Sequence, residues 1–349
     1  MNKNIRVLVT GAGSGVGQGI IKSLKLSKLP LHIISADIAA VNAGLYRTDE
    51  ALIIPKVEED DALQRMADAL YKSKPDMVFV GSEFEMLFFA KNRDFLEREC
   101  KTHIIVAAEE AIEMANDKWF TVCCLQKNGL PYPLSALGEA GKPPFTEVAS
   151  AIGYPCVLKT RTGTSGRHVN IVHSKEELER LWPSVPNPMV QELLVEPSTQ
   201  LKLEYTCSVF RCADGTLLGP FTARRTLRGG NSWIVEVEPF IELHPFLLTL
   251  GSALDFSGSL NVQLILTQRG PVPFELNMRF SGTTAVRAHF GFNEPEIYIR
   301  SYFLKEQIKQ PEIRKGMAFR YLEEVFVDGY TLNEINTNHF PKGEVRQWF

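Results

Sequence analysis

The N-terminal third of the chain repeats one pattern, in which an apolar run typical of a buried strand is followed by a segment with helical spacing. The apolar runs lie at residues 5–10, 32–36, 77–80 and 104–106. Parallel strands need a long crossover connection between them, and that connection is usually a helix. The pattern therefore predicts a parallel sheet that is covered by helices on both faces.

A glycine-rich loop at residues 11–17 joins the first of these strands to its helix. Such a loop holds a phosphate at a helix N-terminus, or it is a tight turn that lets the helix pack on the strand. It also resembles the loop of the short-chain dehydrogenases, with Asp37 placed where an acid would bind a ribose. Those enzymes use a Tyr and a Lys separated by three residues, and no Tyr of this chain has a Lys at that spacing.

The size and charge of the chain restrict its class. A chain of 349 residues exceeds the usual size of one core, so we expect two or three packed units. The net charge of −3 argues against a nucleic-acid or membrane-surface protein. No apolar run approaches the roughly 20 residues that cross a bilayer, and the N-terminus has no signal-peptide pattern. We expect a cytoplasmic protein with small-molecule substrates and no nucleic-acid or membrane partner. A homodimer would fit the base rate of oligomers.

Three polar residues, Glu275, Asn277 and Arg279, alternate with apolar residues in one segment. This alternation predicts a strand with one polar face, on which a carboxylate, an amide and a guanidinium stand in a row. Oxygen ligands followed by a fixed cation suit Mg²⁺ bound to a polyphosphate. Gln263, in another strand-like run at 261–266, would add a further oxygen. The alternative is an exposed edge strand with scattered polar residues.

Two other segments carry groups suited to anions. Lys159 ends an apolar run, and the loop at 160–166 supplies backbone N–H groups and hydroxyls that would close over phosphate oxygens. Arg224 and Arg225 belong to a basic cluster ahead of a glycine pair, which suits carboxylate or phosphate binding. A solvated basic turn is the alternative interpretation of that cluster.

Two acids, Glu83 and Glu85, follow the third strand at the carboxyl edge, where open α/β sheets tend to bind ligands. They would meet an amine substrate, or they are solvated acids that stabilise a helix start. Farther along, residues 111–128 are predicted to form one helix that carries Lys118.

The order of these motifs is more specific than any one of them. It runs from Asp117-Lys118 through Lys159, the loop at 160–166, Gln191-Glu192-Leu193-Leu194, Glu204 and Gln263 to the alternating polar residues Glu275, Asn277 and Arg279, called the polar stripe below. This order resembles the ATP-grasp superfamily, and within it the carbamoyl-phosphate-synthase-like and biotin-carboxylase-like branch. The resemblance implies an α/β and α+β fold, with an N-terminal Rossmann-like pre-ATP-grasp domain followed by a two-part ATP-grasp fold. It implies a pre-ATP-grasp domain at 1–110, a lid subdomain at 111–188, a C-terminal subdomain with the metal site at 189–330 and an extension at 331–349.

The resemblance also implies individual roles. Contacts with ATP are implied for Lys118, Lys159, Thr162, Gly163, Ser165, Gly166, Gln191, Glu192, Leu193, Leu194, Glu204 and Gln263. Ligands of Mg²⁺, or of Mn²⁺ in its place, would be Gln263, Glu275 and Asn277. Arg279 would steady the transferred phosphate and the acyl group, with Lys159 beside it. Arg224, Arg225 or Arg287 would clamp the substrate carboxylate.

These roles imply an ATP-dependent ligase that joins a carboxylate to an amine through an acyl phosphate, with release of ADP and phosphate. Three alternatives stay open at this point. The first is an enzyme that activates bicarbonate or carbamate, the second is an NAD(P)-dependent dehydrogenase, and the third is a non-catalytic ATP-binding protein.

Overall fold

The computed structural model describes residues 4–139, 141–163, 168–195, 204–338 and 345–346. Within these ranges the strands form a five-stranded sheet, a four-stranded sheet, a seven-stranded sheet and a short strand pair. No helix in this part of the chain is both long enough and apolar enough to cross a membrane.

The N-terminal sheet is parallel throughout and has the strand order β3-β2-β1-β4-β5. Its strands are β1 (Ile5–Val9), β2 (Leu31–Asp37), β3 (Glu50–Ile53), β4 (Met77–Phe79) and β5 (His103–Ile105). The helices of this part are α1 (Gly15–Lys25), α2 (Ala62–Ser73), α3 (Glu83–Lys91) and α4 (Arg93–Cys100). The predicted parallel sheet is confirmed. Strand β3 was not predicted, although it contains the short apolar run Ala51-Leu52-Ile53.

Helices cover both faces of this sheet, because successive residues of a strand point to opposite sides. Leu8 of β1 packs into a core with residues of α2, α3 and α4, whereas Val7 and Val9 pack into a second core with residues of α1.

The helix predicted over residues 111–128 is in fact two helices, α5 (Glu109–Asn116) and α6 (Lys118–Lys127). The backbone of Asp117 is extended between them, and its carboxylate accepts from the N–H groups of Trp119 at 2.9 Å and Phe120 at 3.3 Å. The same carboxylate forms a salt bridge of 2.5 Å with Arg161. The break therefore results from an N-cap and a long-range ion pair, which override local helix propensity.

The four-stranded sheet is antiparallel and follows in the chain, with the order β6-β9-β7-β8. Its strands are β6 (Ser135–Leu137), β7 (Cys156–Thr160), β8 (Asn170–Val172) and β9 (Pro188–Glu192). The short helices α7 (Phe145–Glu147) and α8 (Lys175–Leu181) belong to the same part, and Leu158, Val172, Leu178 and Val190 form its core. Strands β7 and β8 pair in antiparallel orientation, and Lys159 lies on the regular strand β7.

The seven-stranded sheet is antiparallel and contains the polar stripe. Its path is β15-β14-β10-β12-β13-β16, and β11 pairs with β10. Its strands are β10 (Glu204–Arg211), β11 (Leu217–Phe221), β12 (Ala223–Arg228), β13 (Asn231–Val237), β14 (Gly258–Thr267), β15 (Gly270–Asn277) and β16 (Gly316–Phe319). Helices α9 (His244–Ala253), α10 (Thr284–His289) and α11 (Glu294–Tyr298) accompany it. Strand β15 ends at Asn277, so Arg279 follows the strand instead of lying within it.

The last described elements are β17 (Phe326–Val327), α12 (Leu332–Asn338) and β18 (Val345–Arg346). Strands β17 and β18 pair with each other in antiparallel orientation.

Candidate active site

A cavity of about 900 Å³ lies between the four-stranded sheet, the seven-stranded sheet and the loops at the carboxyl edge of the N-terminal sheet. The predicted site residues that line it are Lys118, Lys159, Gly163, Gln191, Glu192, Leu193, Leu194, Glu204, Arg225, Gln263, Glu275 and Arg279. Thr162, Arg224 and Asn277 are not among its lining residues. Ser165 and Gly166 lie outside the described residues. The fold thus gathers most of the predicted site around one space.

Two lysines contribute positive charge to the cavity wall. Lys159 of β7 is 6% exposed, and its Nζ donates to Oε1 of Gln191 at 2.6 Å. Burial and the nearby charge of Lys118 lower the pKa of Lys159 to about 7, against an opposing effect of Glu275. Lys118 donates from Nζ to the Gly163 carbonyl at 2.9 Å, and burial lowers its pKa too. Neither lysine has a salt-bridge partner among the described residues, so a phosphate oxygen would satisfy both of them.

The predicted hinge segment lies where β9 ends. The N–H of Glu192 donates to the carbonyl of Leu134 at 2.8 Å, and its Oε1 accepts from the N–H of Leu134 at 2.7 Å. Arg269 of the turn between β14 and β15 also donates to this Oε1. Because the Glu192 carboxylate is engaged by protein groups, a ligand contact here would come from the backbone of Glu192 and of the two leucines that follow it.

The polar stripe gathers around a single carboxylate. Pairing of β14 with β15 places Gln263 opposite Glu275. Oε1 of Glu275 accepts from Nε2 of Gln263 at 2.8 Å and from Nδ2 of Asn277 at 2.8 Å. Asn277 thus touches the cavity acid although it does not line the cavity itself.

This donor set fits one kind of metal binding. The described residues contain no group of three or more His, Cys, Asp or Glu side chains that would hold a metal by themselves. Magnesium, however, is usually bound through one or two carboxylates, and substrate phosphates and water complete its shell. One carboxylate, Glu275, flanked by the amides of Gln263 and Asn277, therefore suits Mg²⁺ that arrives with a nucleotide.

The two adjacent arginines of β12 have different environments, because neighbouring strand residues face opposite sides. Nη2 of Arg225 donates to Oε2 of Glu204 at 3.1 Å and to Oε1 of Gln263 at 2.7 Å, within the cavity wall. Arg224 instead forms a 2.8 Å salt bridge with Glu236 and does not line the cavity. The expectation that Arg224 clamps a substrate carboxylate is corrected by this placement.

Arg287 is also unavailable to a substrate. It is 0% exposed, and its guanidinium binds Oε2 of Glu294 at 3.1 Å and Oδ1 of Asn261 at 2.5 Å. The expectation of a substrate clamp at Arg287 is therefore corrected as well. Asn261 lines the cavity, so this buried pair orients a cavity residue from beneath.

Arg279 meets the N-terminal part of the molecule at the cavity. It forms an ion pair with Glu83 at the start of α3, and its Nη1 donates to the carbonyl of Phe280 at 2.9 Å. Burial, with a contribution from Arg287, lowers the pKa of Arg279 to about 10, which leaves it charged at neutral pH. Of the two acids considered at the carboxyl edge, Glu83 lines the cavity, whereas Glu85 is buried and is not a solvated helix-start acid.

The glycine-rich loop makes close backbone contacts. A Cβ on Gly17 would lie 2.1 Å from the carbonyl oxygen of Gly11, so only glycine lets α1 approach β1 this closely. Asp37 accepts from the N–H of Gly13 at 2.7 Å and from the N–H of Ile38 at 2.8 Å. Both carboxylate oxygens of Asp37 thus serve the local backbone, which favours the tight-turn interpretation over a ribose-binding acid.

The lining residues that sequence reasoning did not single out include Phe84, Asn261 and Arg320. The sequence signal for Phe84 is an aromatic residue between two acids at a predicted carboxyl edge. In the fold its side chain is 78% exposed. Asn261 begins the run that contains Gln263 and shares its face, so strand alternation would have placed it there. Arg320 follows β16 and belongs to no motif.

Comparison with known proteins identifies the nucleotide-binding part. Residues 123–239 match the ATP-grasp domain family. The chain contains an ATP-grasp domain. The match covers β7, β9 and β12, which carry Lys159, Gln191 and Arg225, so the ATP-grasp domain includes part of the cavity wall.

The relatives of this chain are distant and mostly longer. The carbamoyl phosphate synthase large chain of Methanoregula boonei is 22% identical over 304 residues, which are 81% of this chain and 28% of that protein. The formate-dependent phosphoribosylglycinamide formyltransferase of a Nitratiruptor species is 23% identical over 227 residues, covering 63% of this chain and 54% of that one. This chain therefore spans little more than a quarter of the length of the synthase.

Solved structures share the fold of this chain over nearly its whole length. The N5-carboxyaminoimidazole synthetase of Staphylococcus aureus, complexed with ADP, has a TM-score of 0.71 at 16% identity, covering 92% of this chain and 84% of that one. The biotin carboxylase domain of the Hydrogenobacter thermophilus 2-oxoglutarate carboxylase, complexed with MgADP, ADP and bicarbonate, has a TM-score of 0.69 at 17% identity, covering 95% and 81%. At these identities the likeness establishes the fold.

Proposed function

We propose that this protein is an ATP-dependent ligase that joins a carboxylate to an amine through an acyl phosphate and releases ADP and phosphate. The observation that carries the proposal is the convergence of Lys118, Lys159, Glu275 and Arg279 on one cavity of an ATP-grasp fold. Phosphoryl transfer to a carboxylate requires cations for the phosphates, a metal ligand and a cation at the transferred group. The two desolvated lysines, the acid flanked by amides and the buried arginine match these requirements.

Each group has a defined part in this reaction. Lys118 and Lys159 hold the phosphates of ATP, while the segment after β9 receives the adenine through its backbone. Bound Mg²⁺, or Mn²⁺ in its place, would be held by Glu275 with Gln263 and Asn277, and it supplies charge neutralisation at the phosphates.

The substrate carboxylate attacks the γ-phosphorus, the bond to ADP breaks, and Arg279 stabilises the charge on the transferred group. The amine then attacks the carbonyl carbon of the acyl phosphate, loses a proton and displaces phosphate. Because an acyl phosphate hydrolyses in water, the enclosing walls protect it until the amine arrives.

The N-terminal part of the chain has a place in the same proposal. Its strand order, β3-β2-β1-β4-β5, is that of doubly wound folds whose ligands bind at the carboxyl edge. We therefore infer a Rossmann-like pre-ATP-grasp domain at 1–110, whose glycine loop and Glu83 face the second substrate. We also infer a lid subdomain at 111–188, a metal-bearing subdomain at 189–330 and an extension at 331–349. A cytoplasmic location and a homodimer belong to the same proposal.

The test is phosphate release from ATP by the full chain with panels of carboxylates and amines, offered singly and together. We expect release that requires one member of each panel. The structural likeness to a carboxylase domain crystallised with bicarbonate motivates a second candidate, an enzyme that activates bicarbonate. Release with bicarbonate alone, together with isotope from labelled bicarbonate in the product, would replace the ligase by that candidate. ATP binding without turnover on any panel would instead indicate a non-catalytic protein.

A Glu275→Gln variant tests the metal assignment. It keeps the shape of the side chain but removes the one carboxylate of the stripe, and we expect turnover to fall by roughly 100-fold or more. Glu242→Gln, which changes an exposed acid far from the cavity lining, is the matched control and should retain activity. Full activity of Glu275→Gln with Mg²⁺ would contradict the assignment.

A further inference from the structure

Among the residues that the structure describes, three arginines line the cavity, and they differ in their charge partners. Arg225 forms a salt bridge with Glu204, and Arg279 forms an ion pair with Glu83. Arg320 forms no salt bridge with any of the described residues, although it is half-buried in the wall. A partly desolvated guanidinium without a carboxylate partner is costly unless a ligand anion completes its hydrogen bonding.

Backbone contacts hold Arg320 in place at the cavity. Its Nη2 donates to the carbonyl of Gly282 at 3.0 Å, and its N–H donates to the carbonyl of Trp233 at 2.8 Å. Arg279 donates to the carbonyl of Phe280, two residues before Gly282, so one short loop tethers both guanidinium groups. Arg320 is thereby held at the cavity wall, and its contacts with the described residues leave guanidinium N–H donors for a ligand.

The surroundings of Arg320 have an excess of positive charge. Burial lowers the pKa of Lys22 in α1, and the nearby charges of Arg47 and Arg320 lower it further. The nearby acid is Glu323, which forms a 3.1 Å salt bridge with Arg47. Among the described residues these three cations share one nearby carboxylate, and the excess of positive charge favours an anion beside Arg320, which lines the cavity.

The cavity also offers an acid for a positively charged substrate group. Glu83 lines the cavity and contacts Arg279, so it lies next to the place where the acyl phosphate would form. An ammonium group drawn to Glu83 would have its nitrogen near the carbonyl that it must attack. Glu83 therefore suits the amine, and Arg320 suits a separate anionic group on the same molecule.

We propose that Arg320 binds an anionic group, a carboxylate or a phosphate, carried by the amine substrate, so that this substrate is an amino acid or an amino phosphate. The inference rests on the proposed ligase function and names the class of its amine. Arg320 is a specificity-determining residue in this account, because it contacts the substrate at a distance from the reacting atoms.

The experiment offers the full chain matched pairs of amines with a pool of small carboxylates, ATP and Mg²⁺, and follows phosphate release. One arm compares the proteinogenic amino acids with their amides, and the other compares amino phosphates with their dephosphorylated amines. We expect release only with the anionic member of a pair, and the arm that responds distinguishes a carboxylate from a phosphate.

The Arg320→Gln variant should then raise KM for that amine by roughly 10- to 100-fold, as expected for one charge-assisted contact. The KM for ATP and kcat should change little, and Arg320→Lys should restore part of the affinity. Arg98→Gln, on the exposed face of α4, is the matched control and should behave like the unchanged protein.

Two results would overturn the assignment while leaving the ligase intact: equal use of neutral and anionic amines, or an unchanged KM for the amine in Arg320→Gln. Absence of release with every amine would refute the ligase itself and, with it, the role of Arg320.

Discussion

Replacement of Glu85 by glutamine should remove a pH dependence of stability from the N-terminal sheet. Glu85 of α3 is 5% exposed and accepts a hydrogen bond of 2.5 Å from the hydroxyl of Thr10. Burial raises its pKa from 4.5 to about 7, and Asp37 and Glu58 add repulsion, while the Thr10 hydroxyl opposes the rise. The folded protein therefore holds a proton on Glu85 at pH values where the unfolded chain has released it.

The sign of the effect follows from that difference. Between pH 4.5 and about 7 the folded state binds more protons than the unfolded state, so the stability from this group falls as pH rises. It is fully present below pH 4.5 and is lost above about pH 7. At about 1.4 kcal/mol for each pH unit, the whole loss is about 3 kcal/mol.

The assay is thermal or urea unfolding of wild type and Glu85→Gln at several pH values from 5 to 8. Glutamine keeps the shape, still accepts from the Thr10 hydroxyl and cannot ionise, so the variant should gain on wild type as pH rises. A difference of about 3 kcal/mol corresponds to several degrees in Tm. Glu99→Gln, an exposed acid on α4, should follow the wild-type curve. Parallel curves for wild type and Glu85→Gln would refute the reasoning.

Two further changes test the nucleotide half of the cavity and the loop beneath it. Burial lowers the pKa of Lys159 to about 7, so ATP affinity should decline as pH rises above 7 and the ammonium is lost, whereas Lys159→Arg should flatten that profile in calorimetric titrations. Gly17→Ala would place a Cβ 2.1 Å from the Gly11 carbonyl oxygen and should lower the free energy of unfolding by about 2–4 kcal/mol. Gly15→Ala, with its nearest contact at 3.4 Å, should change thermal stability far less, and equal melting curves for the two variants would contradict the packing argument.

The elements that were predictable from sequence are those whose signal is local. An apolar run such as that of β1 identifies a buried strand wherever it lies, and so the parallel sheet could be predicted. The break in the helix predicted over residues 111–128 could not be predicted from local sequence alone. This break, at Asp117, depends on Arg161, which lies far along the chain, and no spacing within the helix announces that ion pair.

The basic cluster of β12 shows a limit of a different kind. Strand alternation already requires that Arg224 and Arg225 face opposite sides, so only one of them could reach the cavity. Which one does so depends on register with β10, where Glu204 stands opposite Arg225. Pairing across strands is a tertiary fact, and the cluster alone therefore left the choice open.

Some cavity residues lie on regular strands and others lie on the connections between elements. This difference explains which residues sequence reasoning missed. The groups proposed to bind phosphate and metal, such as Lys159 and Glu275, lie on regular strands, where the period of two predicts which face a side chain occupies. The groups proposed to face the second substrate come from connections: Glu83 from a helix start and Arg320 from the segment after β16. Connections vary in length and conformation without disturbing a core, so they can be changed to fit a new amine while the strands keep the same chemistry. Substrate class in this chain is therefore to be sought at Glu83 and Arg320, where the fold brings to one cavity an acid and a guanidinium that has no salt bridge with the described residues.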